Sequence, residues 1–159
     1  MSQYVPAEPA TDVRGGKSFT HRLRVRWAEV DLQQVVFFGN YAEYCDIAFT
    51  EFMREVGLPD PIAQQRAGRE LFMRKMQIEY HASARFDDWL DIVVRCARIG
   101  RSSLTIRFGI DRAGERLADA EFVYVYAEPA SGRSVEIPAE WHHRLLGASA
   151  EQAASGSGS

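Results

Sequence analysis

The residues best able to do chemistry lie in one short segment, Arg26 to Tyr44, with the sequence RWAEVDLQQVVFFGNYAEY. A lone carboxylate, Asp31, follows a charged, amphipathic strand. It stands ahead of four apolar residues, the Gly39–Asn40 pair and a helix. A carboxylate in that place can serve as a nucleophile or as a base for water. The helix after it begins with N–H groups that have no partner inside the helix and with a partial positive charge, both suited to an oxyanion. The same aspartate also fits an Asx-turn or a helix entry, the commoner use of Asp in a loop. Glu29 shares a face with Asp31 only if the strand runs that far, so it reads as a solvated or helix-orienting carboxylate.

Other motifs carry less. His142 and His143 lack a spaced carboxylate or a third ligand, so no metal site is expected. Glu79 and His81 share a strand face, an alternation routine on a half-exposed strand. The GGK at 15–17 lacks the preceding strand and glycine spacing of a phosphate loop, and no Gly-x-Ser-x-Gly nucleophile elbow occurs. Cys45 and Cys96 fall inside a helix and a strand and read as buried free thiols, in keeping with a reducing compartment.

The elements that must position Asp31 follow from periodicity. Alternation over Ser18–Trp27 puts Phe19, His21, Leu23, Val25 and Trp27 on one strand face, and Thr20, Arg22, Arg24 and Arg26 on the other. Tyr41, Tyr44, Cys45, Ala48, Phe49, Phe52, Met53 and Val56 recur at steps of three and four, an apolar helical stripe wide enough to be covered by a sheet. Asn40 is the expected N-cap, with Glu43 completing a capping box, and Gly57 with Pro59 supplies the stop. An irregular Gln/Arg-rich connection, Asp60–Glu70, follows. Four alternating runs come next: Phe72–Ser83, Trp89–Ile99, Ser103–Asp111 and Leu117–Tyr126. The stretches RIGRSS, DRAGER and EPASGR read as turns, Ser134–Ile137 as a short last strand and Ala139–Leu146 as a terminal helix. The fold class is therefore α+β, with a five- to six-stranded antiparallel sheet wrapped around one long helix. One helix covers only one sheet face, so the other face or an edge is expected to pair with a second copy, as a dimer or a homotetramer.

Composition bounds the rest. The chain of 159 residues fits one domain at 18–147, with flexible tails at 1–17 and 148–159, the latter rich in Gly and Ser like a linker. Net charge is −3, so no positive field favours nucleic acid or an anionic membrane, although all but two of the 19 basic residues are arginine. No signal peptide is read at the start, and no run approaches the roughly 18 apolar residues of a membrane span. A cytoplasmic protein is expected.

The segment RWAEVDLQQVVFFGNYAEYCDIAFTEFMREVGLP resembles the opening of hotdog-fold acyl-CoA thioesterases, closest to the 4-hydroxybenzoyl-CoA thioesterase group. That group has an Asp, three residues, two aliphatics, two aromatics, a small residue, Asn-Tyr and a long helix ending Gly-Leu-Pro. YHASARFDDWLDIVVRCARIGRSS and VEIPAEW extend the likeness over about Phe19 to Leu145. The resemblance implies a hotdog thioesterase domain that needs no cofactor, with CoA arriving as part of the substrate. It implies Asp31 as the catalytic carboxylate, a backbone N–H of Phe38 or Gly39 to polarise the thioester carbonyl, and active sites between two subunits. It also puts Arg101 and Ser102, in the turn after Gly100, on the CoA phosphates, for which an Arg fork is well shaped.

The expected substrate-binding set is Gln34, Phe37, Asn40, Tyr41, Arg101 and Ser102. Two departures from the family stand out. Gln34 occupies a place where many relatives have Gly, so it calls either for a different backbone conformation or for an amide that enters the pocket. Phe38 replaces a His found in a related branch, which favours an aromatic or short- to medium-chain acyl group. A dehydratase is disfavoured because no His stands beside Asp31 in this segment. A non-hydrolytic acyl-CoA binding or assembly protein on the same fold is the alternative.

Overall fold

The computed structural model describes residues 17–147. Its chain runs through β1 (Ser18–Arg24), a 3-10 turn (Trp27–Glu29), α1 (Asn40–Glu55), α2 (Pro61–Arg66), β2 (Glu70–Tyr80), β3 (Trp89–Ile99), β4 (Ser103–Arg112), β5 (Glu115–Glu128), β6 (Arg133–Ser134) and α3 (Ala139–Leu146). The strands form one antiparallel sheet in the order β1-β3-β4-β5-β2, with the two-residue β6 paired to β5. Register shifts at Met73/Lys75, Cys96/Arg98 and Ile110/Asp111 let the sheet bend, as a bulge does by adding local twist. It curls around α1, the α+β hotdog arrangement. The tails expected at 1–17 and 148–159 lie outside the described residues, Lys17 excepted. No helix among the described residues is long and apolar enough to cross a membrane.

The helical stripe is the core. Tyr41, Tyr44, Cys45, Ala48, Phe49, Phe52 and Met53 are buried along α1. They meet Leu90, Ile92, Val94, Ile106 and Phe122 of the sheet, all fully buried. Each side chain of that size contributes about 1.5–3 kcal/mol by leaving water. This packing holds α1 in place and fixes where its first turn points.

Several boundaries differ from the expectation. β1 ends at Arg24, and Trp27 is 70% exposed rather than on the buried face. The Glu29 carboxylate takes the Arg26 N–H (2.7 Å) and its guanidinium, folding the chain into a 3-10 turn before the strand can continue. Glu29 itself is 6% exposed, so it is a buried turn-former and not a solvated one. Within Asp60–Glu70 the structure has α2, N-capped by Asp60, whose Oδ1 accepts the Ala63 N–H at 2.8 Å. The last strand is Arg133–Ser134 rather than Ser134–Ile137, although Ile137 still buries its side chain and gives its N–H to Arg101 O. Asn40 opens α1 as its first residue and is not the cap; Gly39 takes that place with no side-chain cap bond.

Candidate active site

Residues 30–39 form a small closed loop that leads into α1. Val30 and Val36 pair as an antiparallel bridge. Between them Asp31 N–H donates to Val35 O (2.9 Å) and Gln34 N–H to Asp31 O (2.9 Å). The Asp31 carboxylate takes the Gln33 N–H on Oδ1 at 2.8 Å, an Asx-turn. Its Oδ2 has no partner among the described residues. Asp31 thus shapes its own turn with one oxygen and leaves the other open. Gln34 adopts φ +62, the left-handed region that glycine occupies most easily, so the backbone keeps a glycine-like shape with a Gln in it.

The loop is tied down on both sides. Phe37 N–H and Asn40 Nδ2 both donate to Glu29 O at 2.9 Å, and Val36 N–H reaches Ala84 O at 2.9 Å. Tyr41 is buried, and its hydroxyl accepts the Ala84 N–H at 2.9 Å. Burial pushes that phenol's pKa above its ordinary value. Tyr80 O–H donates to Phe38 O at 2.8 Å, fixing the Phe38–Gly39 peptide plane. Because the peptide is trans, the Gly39 N–H points opposite to that carbonyl. Among the described residues neither the Phe38 nor the Gly39 N–H has an acceptor. A Cβ at Gly39 would stand 2.9 Å from the Phe37 ring, so a larger residue there obliges that exposed ring to shift.

A cleft of about 320 Å³ opens over this loop. Asp31, Gln33, Val35, Val36 and Phe38 line one side, with Tyr41 at the base. Tyr80, His81, Ala82 and Ser83, at and beyond the end of β2, line the other. His81 therefore shares a cleft with Asp31, although strand alternation alone gave it no role. Its Nε2–H donates to Asp119 Oδ2 at 2.8 Å.

The sequence-derived set divides. The structure groups Asp31, Phe38 and Tyr41 at the cleft and holds Gly39 at the helix start. Asn40 spends its amide on Glu29 O, and Gln34 is exposed and does not line the cleft. Phe37 and Phe38 pack together at 4.3 Å between centroids but remain 45% and 65% exposed, so one chain does not dry the site by itself. Arg101 and Ser102 lie beyond the far end of the eleven-residue β3, whose near end adjoins the Asp31 loop. At ~3.3 Å per residue that is about 35 Å, so a single chain does not bring them to Asp31.

A second cleft, about 300 Å³, opens between α1, α2 and the start of β2. Asp46 and Tyr124 line it, with Phe49, Met53 and Gln64. Burial pushes the Asp46 carboxyl and the Tyr124 phenol upward, and the Tyr124 hydroxyl is buried with no partner among the described residues.

The chain is similar to known proteins in both sequence and fold. The sequence profile of the thioesterase superfamily matches residues 33–118, from just after Asp31 into β5. The acyl-CoA thioester hydrolase YbgC of Escherichia coli is 31% identical over 124 residues, covering 76% of this chain and 90% of that protein. A hypothetical protein from Aquifex aeolicus superposes with a TM-score of 0.75 at 26% identity, over 80% of this chain and 98% of that one. The 1,4-dihydroxy-2-naphthoyl-CoA thioesterase Slr0204 from Synechocystis has the same fold at 20% identity, with a TM-score of 0.76 over 81% of this chain and 96% of its own.

Proposed function

The chain belongs to the thioesterase superfamily, and from that premise we propose that it hydrolyses an acyl-CoA to the free acid and CoA. Asp31 is the reacting carboxylate, and the N–H groups of Phe38 and Gly39 receive the thioester oxygen. The observation that carries this reading is the pairing of an open carboxylate oxygen with unpaired donors at one helix start, beside a cleft. Thioester hydrolysis asks for little more. The leaving thiol has a pKa near ~8.5 on the cysteine scale and departs as thiolate without a strong acid. Each well-aimed oxyanion donor contributes about 2.7–4 kcal/mol to the transition state.

The working unit is a homo-oligomer, a dimer or a tetramer. β2 is a sheet edge whose Phe72, Met73 and Met76 are each more than 40% exposed, and a second copy across it covers them. Arg101 and Ser102 of that copy are then the CoA-phosphate contacts, because their own chain holds them far from Asp31. The exposed Phe37–Phe38 pair favours an aromatic or short- to medium-chain acyl group. The non-hydrolytic reading drew on Gln34, whose backbone takes the left-handed shape that glycine adopts.

The test follows thiol release with a colorimetric thiol reagent across aryl-, short- and long-chain acyl-CoAs, with wild type beside Asp31→Asn. Turnover that falls by orders of magnitude in the variant is the expected result and names the acyl class. No turnover from the folded wild-type oligomer, or equal turnover in both proteins, sinks the reading.

A further inference from the structure

His81 is exposed, yet it is held at both its backbone and its ring. At the end of β2 its N–H donates to Leu117 O (2.8 Å), which fixes the backbone. Asp119 Oδ2 takes the Nε2 proton. A carboxylate only accepts, so the neutral ring carries its proton on Nε2 and leaves the Nδ1 lone pair open, and His81 is one of the residues lining the Asp31 cleft. Asp119 is fixed in turn: Arg116 bonds its other oxygen and Asp111 as well. Gly109, opposite Asp119 in the β4–β5 register, makes room for that guanidinium. A Cβ there would stand 2.6 Å from Arg116 Cζ. The result is a base with an orienting carboxylate and a supporting cation, in a residue that lines the same cleft as Asp31.

We propose that His81, oriented by Asp119, is the base that activates water to release the acyl group from Asp31. This rests on the thioesterase reading. In the first half Asp31 attacks the thioester carbon, the C–S bond breaks and CoA leaves as thiolate, giving an acyl-aspartyl anhydride. In the second half His81 Nδ1 takes one proton from a water as its oxygen bonds the acyl carbon. The anhydride C–O bond breaks and restores the Asp31 carboxylate. The free acid departs, and the proton on His81 passes to solvent, from which the thiolate is protonated.

The charged and titratable groups around His81 are Asp119 and Arg116 on β5, Asp111 on β4, Glu79 on its own strand and Asp31 across the cleft. Arg112, bonded to Ser83 O, stands behind the segment that leaves β2. Of these, Asp31 and His81 are the two that line the cleft.

The experiment compares wild type, His81→Gln and Asp119→Asn by rapid mixing with an acyl-CoA that wild type hydrolyses. In His81→Gln, we expect a burst of about one thiol per subunit, followed by steady-state turnover at least ~10²-fold slower. Mass spectrometry of the quenched variant then finds the acyl group on the peptide that carries Asp31. The limb that a general base imposes on the pH profile of kcat disappears. Asp119→Asn keeps a displaced limb and loses less activity. Unchanged turnover and pH profile in His81→Gln overturn the proposal, as does equal slowing of the burst and the steady state. A wild type that releases no thiol from any acyl-CoA overturns the thioesterase reading as well, and that failure shows without any variant.

Discussion

The two ends of α1 are built to opposite specifications. At its C-terminus Gly57 turns the chain at φ +73. Its N–H returns to Arg54 O (3.0 Å), and the Leu58 N–H returns to Met53 O (2.9 Å) with Leu58 buried beside it, a Schellman closure. Arg144 of α3 then donates to Gly57 O at 2.6 Å and Val56 O at 3.3 Å. A cation on helix-end carbonyls is favourable for the dipole as well as for the bonds. At the N-terminus nothing equivalent happens. No side chain caps the helix, the Phe38 and Gly39 N–H groups stay unpaired, and two aromatic rings sit exposed. A protein that closes one end so fully does not leave the other open for want of residues; Asn40 stands there and turns its amide to Glu29 O instead. The sealed end is bonded into the fold, and the open end keeps two donors without an acceptor among the described residues, as the proposed thioester oxygen would require.

Substitutions can break this contrast. The largest effect is expected at Asp31. Asp31→Asn retains the acceptor for the Gln33 N–H, so the turn survives and the melting temperature moves little. Hydrolysis falls by about 10²–10⁴-fold, read as thiol release. A variant that unfolds instead assigns Asp31 to the loop alone. Next comes Gly39→Ala, whose Cβ meets the Phe37 ring at 2.9 Å beside the proposed donor at the helix start. The expected loss in kcat is about tenfold, with KM little changed, because misplacing a donor by a fraction of an ångström weakens the transition state most. At the sealed end Arg144→Ala loses charged hydrogen bonds on a partly exposed side chain. We expect about 1 kcal/mol of stability lost in a denaturant titration and no change in kcat. Activity lost in step with that stability would erase the contrast.

How much of this was legible depended on how local the cause was. The α1 stripe, its Gly57 stop and the boundaries of β3 and α3 follow from periodicity within a few residues, and the structure reproduces them. The loop–helix junction is equally local: carboxylate, apolar run, Gly39 and helix are contiguous, so Asp31 stood out unaided. Helix α2 was missed although Asp60–Pro61 is a sound start signal, because six residues are too few to show a period. The contact of His81 with Asp119 was out of reach for a deeper reason. Its meaning depends on a register that pairs β2 with β5, 38 residues away, and on a chain exit that carries Ala82 and Ser83 into the Asp31 cleft. Neither is written within reach of His81 itself. Arg101 and Ser102 lie far from Asp31 within one chain, and nothing local in the sequence says how a second copy would place them.

The smallest expected effect concerns the residue that breaks the local rule. Gln34 holds φ +62 where a side chain with a Cβ is strained by about 1–2 kcal/mol, while its amide neither lines the cleft nor finds a partner among the described residues. Glycine removes that strain but gives the unfolded chain more freedom, which takes back about 0.4–1 kcal/mol. The net for Gln34→Gly is a gain of up to about 1 kcal/mol, a rise of a few degrees in melting temperature for a domain of this size. Because the turn that presents Asp31 keeps its shape, kcat and KM should stay within about twofold. Those two readings separate the open end of α1 from the loop that feeds it. If the variant gains stability and loses activity, the Gln34 amide reaches the substrate once a second copy closes the site, and the loop is part of the chemistry after all.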